Sequence, residues 1–72
     1  MESQLRSSLI ESVEIDRETG EMVINFVSGA SYAYGNTSST DVVSLLTAES
    51  PGRWFIENIR SHPELYPARR IG

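Results

Sequence analysis

Hydrophobic residues recur with two different spacings along this chain. Between Ser8 and Gly35 they fall on alternate positions; between Val42 and Ile59 they fall three and four apart. Alternation is the pattern of half-buried strands, and the wider spacing is that of amphipathic helices. In the first half, "ESVEID" puts Val13 and Ile15 on one face. "MVINFV" puts Met22, Ile24 and Phe26 on one face and Val23, Asn25 and Val27 on the other, and "SYAYG" does the same for Tyr32 and Tyr34. "RETGE" and "SGA" are short turn signals between these runs, and Gly20 suits a positive φ. Connections this short predict adjacent antiparallel pairing. In the second half, Ser39, Thr40 and Asp41 are N-cap types ahead of the apolar stripe Val42, Val43, Leu45 and Leu46. "SPGRWFIENIRSHP" begins a second helix, with Ser50 as cap and Pro51 at the first helical position, and ends near Ser61 because His62 precedes a proline. The predicted fold is α+β: a three-stranded antiparallel β-meander followed by two α-helices packed on one face. Residues 8–66 form the single domain, with an N-terminal extension at 1–7 and a C-terminal tail at 67–72.

Size and composition constrain this picture further. At 72 residues, the chain buries only about 60% of the surface that its unfolded form exposes. There is no cysteine, which excludes disulfides, and a single histidine, His62, so a zinc site is not expected as a staple. Self-association is then the expected aid to stability. The sheet face bearing Val23 and Val27 is left uncovered by helices packed on the other side, which points the same way. A homo-oligomer is therefore expected. No apolar run approaches the roughly 18 residues of a membrane span, and "MESQLRSSLIES" has no apolar signal region. The chain is expected in the cytoplasm, with no membrane partner.

Charge narrows the function. The net charge of −4 argues against a general nucleic-acid coat, which needs many phosphate contacts. Yet residues 1–49 hold eight acids against Arg6 and Arg17, while residues 50–72 hold Arg53, Arg60, Arg69 and Arg70 against Glu57 and Glu64. Every basic side chain is arginine, whose planar fork suits phosphate and stacks on flat rings. No nucleophile–base pair, metal cluster or phosphate-loop motif is present, so no catalytic residue, metal or cofactor is assigned and an enzyme is not expected. Asp16 and Glu18 are read as a solvated turn.

Groups suited to binding are better represented. Tyr32, Tyr34 and Trp54 offer flat surfaces for stacking. Arg53 and Arg60 are seven apart, two α-helical turns, and should share a face. Gly52 lies at a helix start, where free amides favour an anion and where a ligand could come close. Asn36, in the polar loop Asn36–Thr40, could bond a base edge or phosphate oxygen. Each has a plainer reading: the tyrosines and Trp54 as core, the polar loop as a helix cap, Arg60 as a helix C-terminal charge.

Taken together, "YAY" followed by a polar loop and then "VVSLLTAESPGRWFIENIR" resembles the KTSC domain family. The pattern is carried by Leu45, Leu46, Ala48, Ser50, Gly52, Phe55, Ile59 and Arg60. Two positions depart from it: Asn36–Ser39 stands where family members usually carry Val-Pro, and Ile56 where many carry asparagine. The resemblance implies a stand-alone domain of bacteria or their phages, with the host bacterial cytoplasm as its site if phage-encoded. RNA binding has been suggested for the family. Small phage proteins of this size also include sponges that sequester cyclic nucleotide signals of anti-phage defence, and the chain is read as similar to these. The leading expectation is a non-enzymatic, oligomeric binder of a small, cyclic nucleotide. Its base would stack on Tyr32, Tyr34 or Trp54, and its phosphates would meet Arg53, Arg60 and the amides near Gly52. A single-stranded RNA-binding module and a protein-interaction module are the alternatives.

Overall fold

Each of the three alternating runs is a strand in the computed structural model, which describes residues 2–4 and 7–72. The elements are β1 (Glu2–Gln4), β2 (Ile10–Ile15), β3 (Met22–Phe26), β4 (Ser31–Tyr34), α1 (Ser39–Thr47), α2 (Pro51–Phe55), a π-helical segment (Ile56–Arg60) that continues α2, and β5 (Ala68–Arg70). The five strands form one sheet in sequence order, each antiparallel to its neighbours. Of the expected extension at 1–7, residues 1, 5 and 6 lie outside the described residues.

The expected three-stranded meander is thus the centre of a wider sheet, β2–β3–β4, with a three-residue strand added at each edge. β5 carries no alternation because all three of its residues are exposed. Backbone pairing holds it instead: Tyr32 faces Arg70, Ala33 faces Arg69 and Tyr34 faces Ala68. The Gly35 N–H donates to Pro67 O and the Ser31 N–H to Gly72 O, both at 2.9 Å. Arg69 and Arg70 therefore belong to an edge strand, and Arg69 Nη2 meets Glu21 Oε1 at 2.6 Å.

The turns follow their chemistry. Asp16 Oδ1 accepts from the Glu18 and Thr19 N–H groups, at 2.9 and 3.3 Å, and Gly20 takes a φ of +76°. Asp16 is spent on its own turn. A register shift between Ile10 and Ser12 breaks strict alternation in β2. Ile10 and Val13, three apart, consequently both reach the core.

α1 is capped one residue earlier than the first cap type read from the sequence. Ser38 Oγ accepts from the Asp41 N–H at 3.3 Å, and Asp41 Oδ2 accepts from the Ser38 N–H at 2.9 Å, a capping box. Ser50 precedes α2 without a side-chain cap bond, and Pro51 stands at the helix start. Beyond Phe55 the helix widens: the Ser61 N–H donates to Ile56 O, five residues back, at 3.0 Å. Two side chains also bond carbonyls along this stretch. Asn58 Nδ2 donates to Trp54 O at 2.9 Å, and Ser61 Oγ to Glu57 O at 2.7 Å.

Both helices cover one sheet face. Leu45, Phe55 and Ile59 pack there against Ile10, Val13, Met22, Ile24 and Tyr34. The opposite face is organised differently. Asn25 Nδ2 donates to Ser12 Oγ at 3.0 Å, and Ser31 Oγ donates to Asn25 Oδ1 at 2.6 Å, a polar ladder across β2, β3 and β4. Beside it Val23 lies opposite Ala33 and is only 5% exposed. The expectation that Val23 needs a covering partner is therefore corrected: it is buried within one chain. Val27 is 56% exposed, but it follows the end of β3. No helix among the described residues is long and apolar enough to cross a membrane. Nor do these residues hold a group of three His, Cys, Asp or Glu side chains able to bind a metal ion.

Candidate functional site

The register pairs Tyr34 with Met22 and Tyr32 with Ile24, so both tyrosines lie on the helix side of the sheet. They are not equivalent there. Tyr34 is buried in the core, and Tyr32 is half-buried beside it. Phe26, Tyr32, Tyr34 and Phe55 close a ring of aromatic contacts. The centroid separations are 6.0 Å for Phe26–Tyr32, 6.4 Å for Tyr32–Tyr34, 5.3 Å for Tyr34–Phe55 and 5.6 Å for Phe26–Phe55. Three of these pairs are edge-on, the arrangement that the ring quadrupoles favour.

This ring borders a cleft of about 550 Å³, within the usual range for small-molecule sites. Six parts of the chain meet around it. β3 and β4 supply Phe26, Tyr32 and Tyr34, and the turn between them supplies Val27, Ser28 and Ala30. The segment before β2 supplies Ser8 and Leu9. The π-helical segment supplies Ile59 and Arg60, and the C-terminal segment supplies Pro63, Tyr66 and Ala68. Arg60 is exposed and makes no hydrogen bond or ion pair among the described residues. Among the described residues it is the one guanidinium lining the cleft. Burial raises the Tyr34 hydroxyl above its ordinary pKa, and the positive charge of Arg60 partly opposes that rise.

The seven residues singled out from the sequence divide between several places. Tyr32, Tyr34 and Arg60 share the cleft. Arg53 does not join them, although the seven-residue spacing predicts a shared face. It lines depressions around the start of α2 instead, because the π-helical segment turns less per residue than the α-helix that the spacing assumed. Arg53 Nε is bonded to Glu57 Oε1 at 2.9 Å, and that carboxylate raises the guanidinium pKa. Gly52 is buried, and its open side is already occupied by protein. A Cβ there would come within 3.1 Å of Ser7 Oγ and 3.3 Å of Leu9 Cβ. Trp54 packs half-buried against the core and borders a shallow depression with Ala48, Arg53 and Glu57. Asn36 sits just past β4 with a φ of +62°, a left-handed conformation that asparagine tolerates. Its Nδ2 donates to Leu65 O at 3.0 Å, so it ties the C-terminal segment to the sheet.

Sequence reasoning missed Phe26 and Tyr66 as cleft residues. Phe26 carried only the signal of a core position. Tyr66 carried the signal of a large aromatic in a tail otherwise poor in apolar pattern. His62, 3.5 Å from Glu64, does not line the cleft.

No curated protein matches the chain. Among solved structures, the crystal structure of KTSC domain protein YPO2434 from Yersinia pestis superposes with a TM-score of 0.86 at 25% identity. The match covers 100% of this chain and 97% of that one. The sequence profile of the KTSC domain matches residues 6–62. The motif residues, the matched profile and the shared fold agree, and the chain belongs to the KTSC domain family.

Proposed function

We propose that the aromatic cleft binds one unit of a small nucleotide, and that the chain acts as a non-enzymatic binder of such a ligand. The observation that carries this reading is Arg60, a guanidinium without a protein partner among the described residues, at a cleft walled by Tyr32 and Tyr34. A base stacked on an aromatic side chain gains about 1–3 kcal/mol, and a guanidinium can grip a phosphate through two parallel bonds. One arginine suits one phosphate, which favours a mononucleotide-sized unit over a long RNA on a chain of net charge −4. A cyclic di- or trinucleotide would fill the clefts of two or three copies, and a sequestering oligomer would form in that way.

Calorimetry tests this with AMP, UMP, cyclic di- and trinucleotides and oligo-U. The expected result is saturable binding at one nucleotide unit per chain, weakened about tenfold or more by Arg60→Ala and left unchanged by Arg53→Ala. No binding by any of these ligands at high micromolar concentration sinks the reading. Affinity that climbs with oligo-U length and falls steeply with salt replaces it with an RNA-binding module.

A further inference from the structure

The family profile ends at residue 62, yet part of the cleft wall comes from beyond that point. Pro63, Tyr66 and Ala68 all line it. Tyr66 is half-buried against the edge of the core. Its hydroxyl has no hydrogen-bond partner, and its ring makes no contact with another aromatic ring among the described residues. Tyr32, which lines the same cleft, is in ring contact with Phe26 and Tyr34 but not with Tyr66. The cleft is therefore lined by two tyrosines, Tyr32 and Tyr66, whose rings do not contact each other.

The Tyr66 side of the cleft is anchored on both flanks of that residue. Leu65 O accepts from Asn36 Nδ2 at 3.0 Å, and Pro67 O accepts from the Gly35 N–H at 2.9 Å. The Tyr66 N–H donates to His62 O at 2.9 Å. Three consecutive residues are thus held by hydrogen bonds, two of them made to the end of β4. A wall fixed before the ligand arrives costs less ordering on binding.

From this geometry we propose that Tyr66 and Tyr32 are the two sides of a slot for one planar heterocycle, with purines preferred over pyrimidines, and that Asn36 is the positioning residue for the Tyr66 side. This rests on the cleft being the nucleotide site. A purine offers the wider ring for two-sided stacking, while the phosphate is left to Arg60. Asn36 acts on the ligand through Tyr66 rather than by touching it.

Adenosine, which has no phosphate, separates this inference from the reading on which it rests. Adenosine and AMP are titrated while the ring protons of Tyr66 are followed by NMR, and UMP serves as the pyrimidine comparison. Adenosine is expected to bind and to shift the Tyr66 resonances, with AMP tighter than adenosine and tighter than UMP. Tyr66→Ala should weaken adenosine about tenfold and erase the preference for AMP over UMP, while Tyr66→Phe retains both. Asn36→Asp keeps an αL-tolerant residue but loses the donor to Leu65. It should weaken adenosine several-fold and shift the Tyr66 resonances of the free protein. If AMP binds while adenosine leaves Tyr66 unmoved, the slot is wrong and the nucleotide reading stands. If adenosine binds at Tyr66 and AMP binds no tighter, the slot stands and the role of Arg60 falls. If neither binds, both fail. A Tyr66→Ala protein that melts normally and keeps its preference for AMP also overturns the slot.

Discussion

On the helix side of the sheet, β3 presents Met22 and Ile24 to the core and Phe26 to its edge. On the other side the same strand presents Val23 and Asn25. The first face is closed by helices, and its stability is bought with apolar area. The second has no helix over it and closes on itself, through the Ser12–Asn25–Ser31 ladder and the Val23–Ala33 contact. The difference teaches where a second molecule could be wanted. A sheet face without helices suggests a missing partner, but here that face is satisfied within one chain. Exposed apolar side chains are found elsewhere, among them Val27 at the cleft, Val43 on α1 and Ile56 at the start of the π-helical segment.

Substitutions on the two faces should therefore fail in different ways. The largest effect belongs to Phe55→Ala. Phe55 is fully buried and touches Phe26 and Tyr34, so the loss should be about 3–5 kcal/mol. That is a large share of the stability of a chain this size, and urea unfolding should show the midpoint fall or the folded baseline vanish. A small drop would mean that the helix side is far less tightly packed than the ring contacts indicate.

Next comes Asn25→Ala on the opposite face. It removes a donor and an acceptor from the ladder and should cost about 1–3 kcal/mol. The same urea titration reads it, and a change within error would show that the polar face contributes nothing and that the contrast between the faces is false.

The smallest effect is at the β5 edge and depends on pH. The bond from Arg69 holds the Glu21 carboxyl below its ordinary value of 4.5. A carboxylate depressed in the folded state stabilises above its unfolded pKa, and that contribution disappears as pH falls through the folded value. Wild type should therefore melt slightly higher than Glu21→Gln at neutral pH, and the gap should close below pH 4.5. A gap that persists in acid would show that the Arg69–Glu21 pair is not its source.

The legible parts of the fold share one property: they are written as side-chain pattern. β3, β4 and the Val13–Ile15 part of β2 alternate, α1 and α2 carry apolar stripes, and Pro51 and His62-Pro63 mark the bounds of the second helix. β5 was not legible because backbone pairing and one ion pair hold it, and neither leaves hydrophobic periodicity. The π-helical segment was not legible because Asn58 and Ser61 read as ordinary helix-surface residues until their bonds to Trp54 O and Glu57 O are seen. That one irregularity separates Arg53 from Arg60 and divides the expected site. Gly52 illustrates another limit. Sequence marks it as a place of close approach, and the structure shows that the approaching group is the chain's own Ser7–Leu9 segment. The shared face of Tyr32 and Tyr34 was legible because two residues two apart on a strand must point the same way, whichever face it is.

The Ser12–Asn25–Ser31 ladder also discriminates against misfolded alternatives. If β3 slid by a single position against its neighbours, every side chain would exchange faces. Asn25 would then be driven, unpaired, into the apolar interior, and Ile24 would be turned out toward water. The hydrogen bonds that close the outer face thus act as an address for β3: they make the nearest wrong alignment costly, and they do so on the side of the sheet that carries neither the core nor the cleft.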